Sequence, residues 1–129
     1  MRYLLDASAL YDLFASGKAM PINATAILPL TVYEIGNILW KDHRAGKIRN
    51  MDIVTVAFGE FFNNIGRLEP DFEHAENIAL SRGISFYDAS YISAAEAGNL
   101  LLVTQDKEIL KKSKSAISVK EFLKDEASE

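Results

Sequence analysis

The residues of this chain best placed for chemistry are four acids, Asp6, Glu34, Asp88 and Asp106. Asp6 ends the apolar run Tyr3-Leu4-Leu5, and Asp106 closes the segment Leu100-Leu101-Leu102-Val103-Thr104; both segments read as short buried strands. Glu34 and Asp88 each sit one turn into an amphipathic helix, in Thr31-Val32-Tyr33-Glu34 and Ser85-Phe86-Tyr87-Asp88. In an open parallel α/β sheet the strand C-termini and nearby helix starts share one edge, where ligands bind. Four carboxylates converging there would repel by roughly 2–3 kcal/mol per pair at about 6 Å and an effective dielectric of about 20. A hard divalent cation is the counter-charge that suits an all-oxygen set.

Taken singly, each acid also has a structural explanation. Thr31-x-x-Glu34 and Ser85-x-x-Asp88 fit the capping box, in which a carboxylate bonds back to the N-cap amide. Asp6 fits an N-cap before Ala7-Ser8-Ala9, and Asp106 fits one before Lys107–Lys112. A carboxylate has two oxygens, so capping and ligation can coexist. Four independent caps need not point at one place, whereas four ligands must. Ser8 and Thr104 bring hydroxyls able to orient a carboxylate or a metal-bound water.

The elements that must position these acids follow from periodicity and punctuation. Strands are expected over 2–6, Ala24–Leu30, Leu100–Thr104 and Ala116–Val119. Helices are expected over Ala7–Ala15, Thr31–Arg44, Met51–Ile65, from Pro70-Asp71 to Leu80, over Ser85–Ala97 and over Lys107–Lys112. The tail over 121–129 is acidic and reads as helical or frayed. Strands alternating with helices indicate βαβ units and right-handed crossovers. Two successive helices between 31 and 65 interrupt the alternation and suggest an αα arm beside the sheet.

Composition sets the outer bounds. The 129 residues are 49% apolar, enough for the core of one domain over 1–129. There is no cysteine, which removes disulfides and thiolate metal sites and fits a reducing cytoplasm. No apolar run approaches the roughly 20 residues that span a bilayer, and the start of the chain does not read as a signal peptide. The net charge of −4 argues at first against nucleic acid. Setting four metal-holding acids aside leaves 14 others against 14 Lys and Arg. A polyanionic substrate is therefore compatible with the composition.

The ordered set Leu4-Leu5-Asp6-Ala7-Ser8, Glu34, Tyr87-Asp88-Ala89-Ser90-Tyr91 and Leu102-Val103-Thr104-Gln105-Asp106 resembles the PIN domain, and especially small VapC-type toxin nucleases. The resemblance spans nearly the whole chain. It implies a three-layer α/β/α fold with a short central parallel sheet. It also implies an acidic metal site at Asp6, Glu34, Asp88 and Asp106, with Thr104 and Ser8 at the family's hydroxyl positions. The activity implied is Mg2+- or Mn2+-dependent endoribonuclease with one or two ions. The partners implied are RNA, a second copy of the chain in a homodimer, and a cognate antitoxin. A non-catalytic PIN-like RNA- or protein-binding module and a housekeeping PIN nuclease in RNA processing are the alternatives.

The basic stretch Lys41, Arg44, Lys47 and Arg49 reads either as a grip on RNA phosphates or as cations favoured at a helix C-terminus. Phe58, Phe61 and Phe62, with Trp40 on the neighbouring helix, form an apolar surface too broad for one stripe, which reads either as a partner surface or as simple core packing. His43 and His74 read as exposed on polar helix faces, without catalytic roles. Asp6 lacks the second acid that a haloacid-dehalogenase phosphatase or a receiver domain would need after the first strand. No glycine-rich phosphate loop is present.

Overall fold

The computed structural model describes residues 1–128. The chain runs β1 (Tyr3–Leu5), α1 (Ala7–Ala15), β2 (Thr25–Ile27), α2 (Pro29–Arg44), α3 (Met51–Asn64), β3 (Gly66–Arg67) and α4 (Phe72–Arg82). It continues through α5 (Phe86–Ala97), β4 (Leu101–Val103), α6 (Lys107–Lys112), β5 (Ala116–Ile117) and α7 (Val119–Ala127). The five strands form one parallel sheet in the order β3-β2-β1-β4-β5. Tyr3 aligns with Thr25 on one side and with Leu101 on the other.

Side chains alternate across the sheet, as a strand period of two requires. Tyr3, Leu5, Ile27 and Val103 enter a core with Leu10 and Leu13 of α1, Ile35 and Leu39 of α2, Phe58 of α3 and Phe122 of α7. Leu4, Ala26 and Leu102 face a second core with Ile78 of α4, Ile92 of α5 and Ile109 of α6. Two cores on two faces make the three-layer α/β/α architecture expected from the sequence. α5 can lie close to the sheet because Ala89, Ser90, Ser93, Ala94 and Ala95 are small and buried.

The strand order fixes where a ligand can go. From β1 the chain first builds outward through β2 and β3, then returns to add β4 on the opposite side of β1. The sheet edge between β1 and β4 is thus the switch point at which crossovers diverge and a crevice opens. Asp6 and Thr104 follow these two strands.

Several elements differ from expectation. The strand expected over Ala24–Leu30 stops at Ile27, because Pro29 opens α2, where its missing N–H costs nothing. Thr31 is therefore the third helical residue and not the N-cap, so the capping box expected from Thr31 and Glu34 does not form. Its hydroxyl instead accepts from the Leu28 amide at 3.1 Å. β3 was not anticipated, since two residues carry no period. The acidic tail is α7: Ser118 and Glu121 form a capping box, and Phe122 packs edge-on against Tyr3 at 4.7 Å. Its last residue, Glu129, lies outside the described residues.

Candidate functional site

Asp6 leaves β1 and N-caps α1, so one carboxylate serves both the helix and the site. Its Oδ1 accepts from the Ala9 amide at 2.9 Å and from the Ser8 hydroxyl at 2.7 Å, and its Oδ2 accepts from the Thr104 hydroxyl. Ser8 Oγ also accepts from the Gln105 amide, and Thr104 Oγ1 from the Asp106 amide, each at 3.0 Å. The loops after the two central strands are thereby stitched through the carboxylate of Asp6. Thr104 is fully buried behind that carboxylate.

Glu34 stands in the second turn of α2. The Tyr91 hydroxyl donates to its Oε1 at 2.6 Å. That hydroxyl has a single proton, so at the 2.8 Å separation from Thr31 Oγ1 the threonine is the donor. A relay therefore runs from the Leu28 amide through Thr31 and Tyr91 to Glu34. Asp88 lies in the first turn of α5, where its amide donates to the Ser85 hydroxyl at 3.1 Å. Asp106 caps α6 through Oδ1, which accepts from the amides of Glu108 and Ile109 at 2.8 and 3.1 Å. Asp6 and Asp106 are thus caps as well as site acids, whereas Glu34 and Asp88 cap no helix, and the cap of Asp106 uses one oxygen of two.

The four acids wall a single cavity of about 250 Å3, together with Ala7, Ser8, Asn37, Ile38 and Tyr91. Among the described residues no Lys, Arg or His lines it. Burial raises the pKa of Asp6, against the lowering bonds from Thr104, Ala9 and Ser8, and repulsion from Asp106 adds to the rise. Burial likewise raises Glu34, against the Tyr91 bond, with repulsion from Asp6 and Asp88. Asp88 is raised by burial and then by Asp106, Asp6 and Glu108. Asp6, Glu34 and Asp88 thus each feel at least one other acid of the set, as convergence requires.

An all-carboxylate wall without a cation has the donor chemistry of a hard divalent ion. Among the described residues no group of three or more His, Cys, Asp or Glu side chains stands close enough together to hold a metal ion as the side chains lie.

The other residues singled out in the sequence lie elsewhere. Lys41 and Arg44 occupy the last turn of α2, where cations favour the helix dipole. Arg44 covers the Trp40 ring at 5.0 Å. Lys47 and Arg49 rim a separate groove, and none of the four lines the acidic cavity. The expected aromatic partner surface is corrected: Phe58 and Phe61 are only 3% and 8% exposed, and Phe62 packs against them. α3 turns these rings toward α1, where Phe58 stacks on Phe14 at 4.0 Å. Trp40 alone of the set is exposed, at 53%. His43 is exposed as expected, but His74 is half-buried and its Nδ1 lies 2.9 Å from Ser93 Oγ.

Sequence reasoning missed Tyr91 and Asn37. Each stands three residues after a site acid on the same helix, Asp88 and Glu34 respectively, and that spacing was the available signal.

The sequence profile of the PIN domain matches residues 3–115. The chain is 41% identical over 126 residues to a Pyrobaculum aerophilum protein named Exonuclease VapC9, covering 95% of this chain and 94% of that one. It is 28% identical over 124 residues to Ribonuclease VapC3 of the same organism, covering 87% and 95%. The crystal structure of PAE2754 from Pyrobaculum aerophilum superposes with a TM-score of 0.91 at 39% identity, covering 100% of this chain and 98% of that one. A toxin–antitoxin complex from Klebsiella pneumoniae shares the fold, with a TM-score of 0.63 at 16% identity and coverage of 91% and 97%. With a matching profile over most of its length and a relative 41% identical across nearly all of it, the chain belongs to the PIN domain family.

Proposed function

We propose that this protein is a divalent-metal-dependent endoribonuclease and the toxin of a toxin–antitoxin pair. The observation that carries this reading is the cavity walled by Asp6, Glu34, Asp88 and Asp106 with no cation among the described lining residues. The names of the relatives, an exonuclease and a ribonuclease, support the same class of chemistry. One or two Mg2+ or Mn2+ ions would be held by the four acids. When bound, such an ion lowers the pKa of a water and stabilises charge on the departing oxygen.

The chain's own residues set the frame for that chemistry. Three hydrogen bonds fix the Asp6 carboxylate in place, so its position is organised before substrate arrives. The Tyr91 bond does the same for Glu34 and favours its charged form. Ala7 and Ile38 give the cavity an apolar wall, which keeps the local dielectric low. The intact acid set weighs against a non-catalytic binding module.

RNA, a cognate antitoxin and a second copy of the chain complete the reading, in the cytoplasm. Lys41 and Arg44 on α2, with Lys47 and Arg49 beyond its end, are the cations assigned to RNA phosphates. The antitoxin is assigned to a groove of about 400 Å3 lined by Tyr11, Phe14, Ile48, Ile53 and Val54, whose rim carries Lys47 and Arg49, so that antitoxin and RNA would compete for those two cations. Ile53 is an exposed apolar residue there, as an amphipathic partner helix requires.

Incubation of the purified protein with a mixed RNA pool, with and without Mg2+ or Mn2+, tests the activity. Cleavage that persists in excess EDTA would overturn the metal mechanism. The 41% identity to a protein named as an exonuclease supports a second reading, removal of nucleotides from an end. A circular RNA separates the two, because only an endonuclease cuts it. A housekeeping role is separated from a toxin by expression: a toxin arrests growth and a co-expressed antitoxin relieves the arrest.

A further inference from the structure

Among the described residues four aromatic side chains stand in solvent: Tyr33, Trp40, Phe72 and Tyr87. Two of them have a cation or a second ring beside them. The Arg44 guanidinium lies over Trp40 at 5.0 Å, and Phe72 packs on Phe86 at 5.4 Å. Tyr33 and Tyr87, 77% and 61% exposed, belong to neither half of the described core. Together with Leu30, Glu34 and Asn37 they wall a shallow cavity of about 220 Å3. Glu34 and Asn37 also wall the acidic cavity, so the two cavities share a rim. Each tyrosine immediately precedes a site carboxylate in the sequence, as Tyr33-Glu34 and Tyr87-Asp88.

This placement answers a difficulty that the acids create. A wall of carboxylates repels a polyanion, and the basic residues lie outside the cavity. Stacking of a base on an aromatic ring is independent of net charge and tolerant of sequence, because every base has a π-face. Single-stranded RNA offers unpaired bases that proteins hold on Tyr, Phe or Trp rings. Leu30 supplies an apolar floor for such a base. Asn37 supplies an amide donor and acceptor on the rim that the base shares with the scissile phosphate.

We propose that Tyr33 and Tyr87 form a stacking shelf for an unpaired base beside the scissile phosphate of single-stranded RNA, with Asn37 set to meet the edge of that base. The proposal rests on the ribonuclease reading above and names the subsite that holds the substrate at the same centre. Tyr33 and Tyr87 are positioning residues, since the reacting atoms belong to the neighbouring cavity.

The test compares wild type with the double variant Tyr33→Ala/Tyr87→Ala and the double variant Tyr33→Phe/Tyr87→Phe. The probe is a short, fluorescently labelled single-stranded RNA pool of random sequence in Mg2+, read by anisotropy and by cleavage. Both rings are exposed, so melting curves of the variants should match wild type. The alanine pair should weaken RNA binding by roughly tenfold and raise KM more than it lowers kcat. The phenylalanine pair should behave as wild type. Making the bases of the probe abasic should weaken binding to wild type and leave binding to the alanine pair unchanged.

If wild type binds and cleaves the pool while the alanine pair does so equally well, the shelf is overturned and the ribonuclease reading stands. If wild type neither binds nor cleaves RNA in any divalent ion, both are overturned. If light scattering shows a wild-type dimer that the alanine pair breaks, with RNA affinity unchanged, the rings belong to a contact between copies and the shelf is overturned.

Discussion

The Tyr91 hydroxyl donates to Glu34 across the gap between α5 and α2, which lie 57 residues apart in sequence. The same hydroxyl receives the proton of Thr31, so the glutamate is braced by a relay that begins at a backbone amide. Tyr91→Phe removes one hydroxyl from that relay and keeps the ring packed. Partners of this kind orient the groups that hold a metal, and their loss costs about 10–100-fold in metal affinity or activity. Manganese titration calorimetry with Tyr91→Phe should show that loss while the melting temperature falls only slightly. Unchanged affinity would mean that the bond serves packing alone.

Asp88 is a half-buried acid facing the field of Asp106, Asp6 and Glu108. Asp88→Asn removes that repulsion and keeps the volume. In EDTA the variant should melt at a higher temperature than wild type, while RNA cleavage in Mg2+ is abolished. Sites built for function commonly trade stability in this direction. A lower melting temperature would assign Asp88 to the architecture of α5.

The pH profile of metal-free protein carries the same signature with a definite sign. Asp6, Glu34 and Asp88 all have folded pKa values raised above the ordinary values of 3.8 for Asp and 4.5 for Glu. A raised acid binds its proton more tightly in the native state than in the unfolded one, so its contribution is present at low pH and is lost as pH rises through the folded pKa. The melting temperature in EDTA should therefore fall as pH climbs from about 5 toward neutrality. Saturating Mg2+ should flatten the slope. A metal-free profile that rises over this window would contradict the direction of the shifts.

Phe58 and Trp40 should behave oppositely under truncation. Phe58 is buried between Phe14 and Phe62, so Phe58→Ala should cost about 3–5 kcal/mol. Trp40 stands in solvent under Arg44, and Trp40→Ala should fall within roughly 0.5 kcal/mol of wild type. Urea melts of the two variants measure both quantities. Equal losses would place Trp40 in a buried contact.

The parts of the fold legible in the sequence were those where one residue type decides the matter. Tyr3-Leu4-Leu5 and Leu101-Leu102-Val103 are apolar on both faces, as strands buried under two helical layers must be, and each is followed by a polar residue of the site. Ala89 to Ala95 reads as a helix built for close approach for the same reason. The direction of α3 was not legible. Its aromatic residues occupy more than one face, and whether they meet α1 or solvent depends on how α2 and α3 are set against the sheet. The roles of Tyr91 and Thr31 were hidden because their bond joins positions 60 residues apart, and neither residue type announces it. Pro29 was visible, but taking it as the end of a strand moved the start of α2 by two residues.

The carboxylate of Asp6 binds Thr104, and the two residues lie 98 positions apart. Until β4 and the loop after it have left the ribosome, Asp6 has neither Thr104 behind it nor Asp106 beside it, and the central strand has a neighbour on one side only. β1 and β2 can pair early because they are close in the chain, whereas β1 and β4 must close a long loop before any contact compensates the lost chain entropy. A nascent chain therefore lacks the complete acidic cavity through most of its synthesis. If the proposed activity holds, a nuclease assembled this way would spare the messenger and the ribosome that are making it until nearly all of its length had been translated.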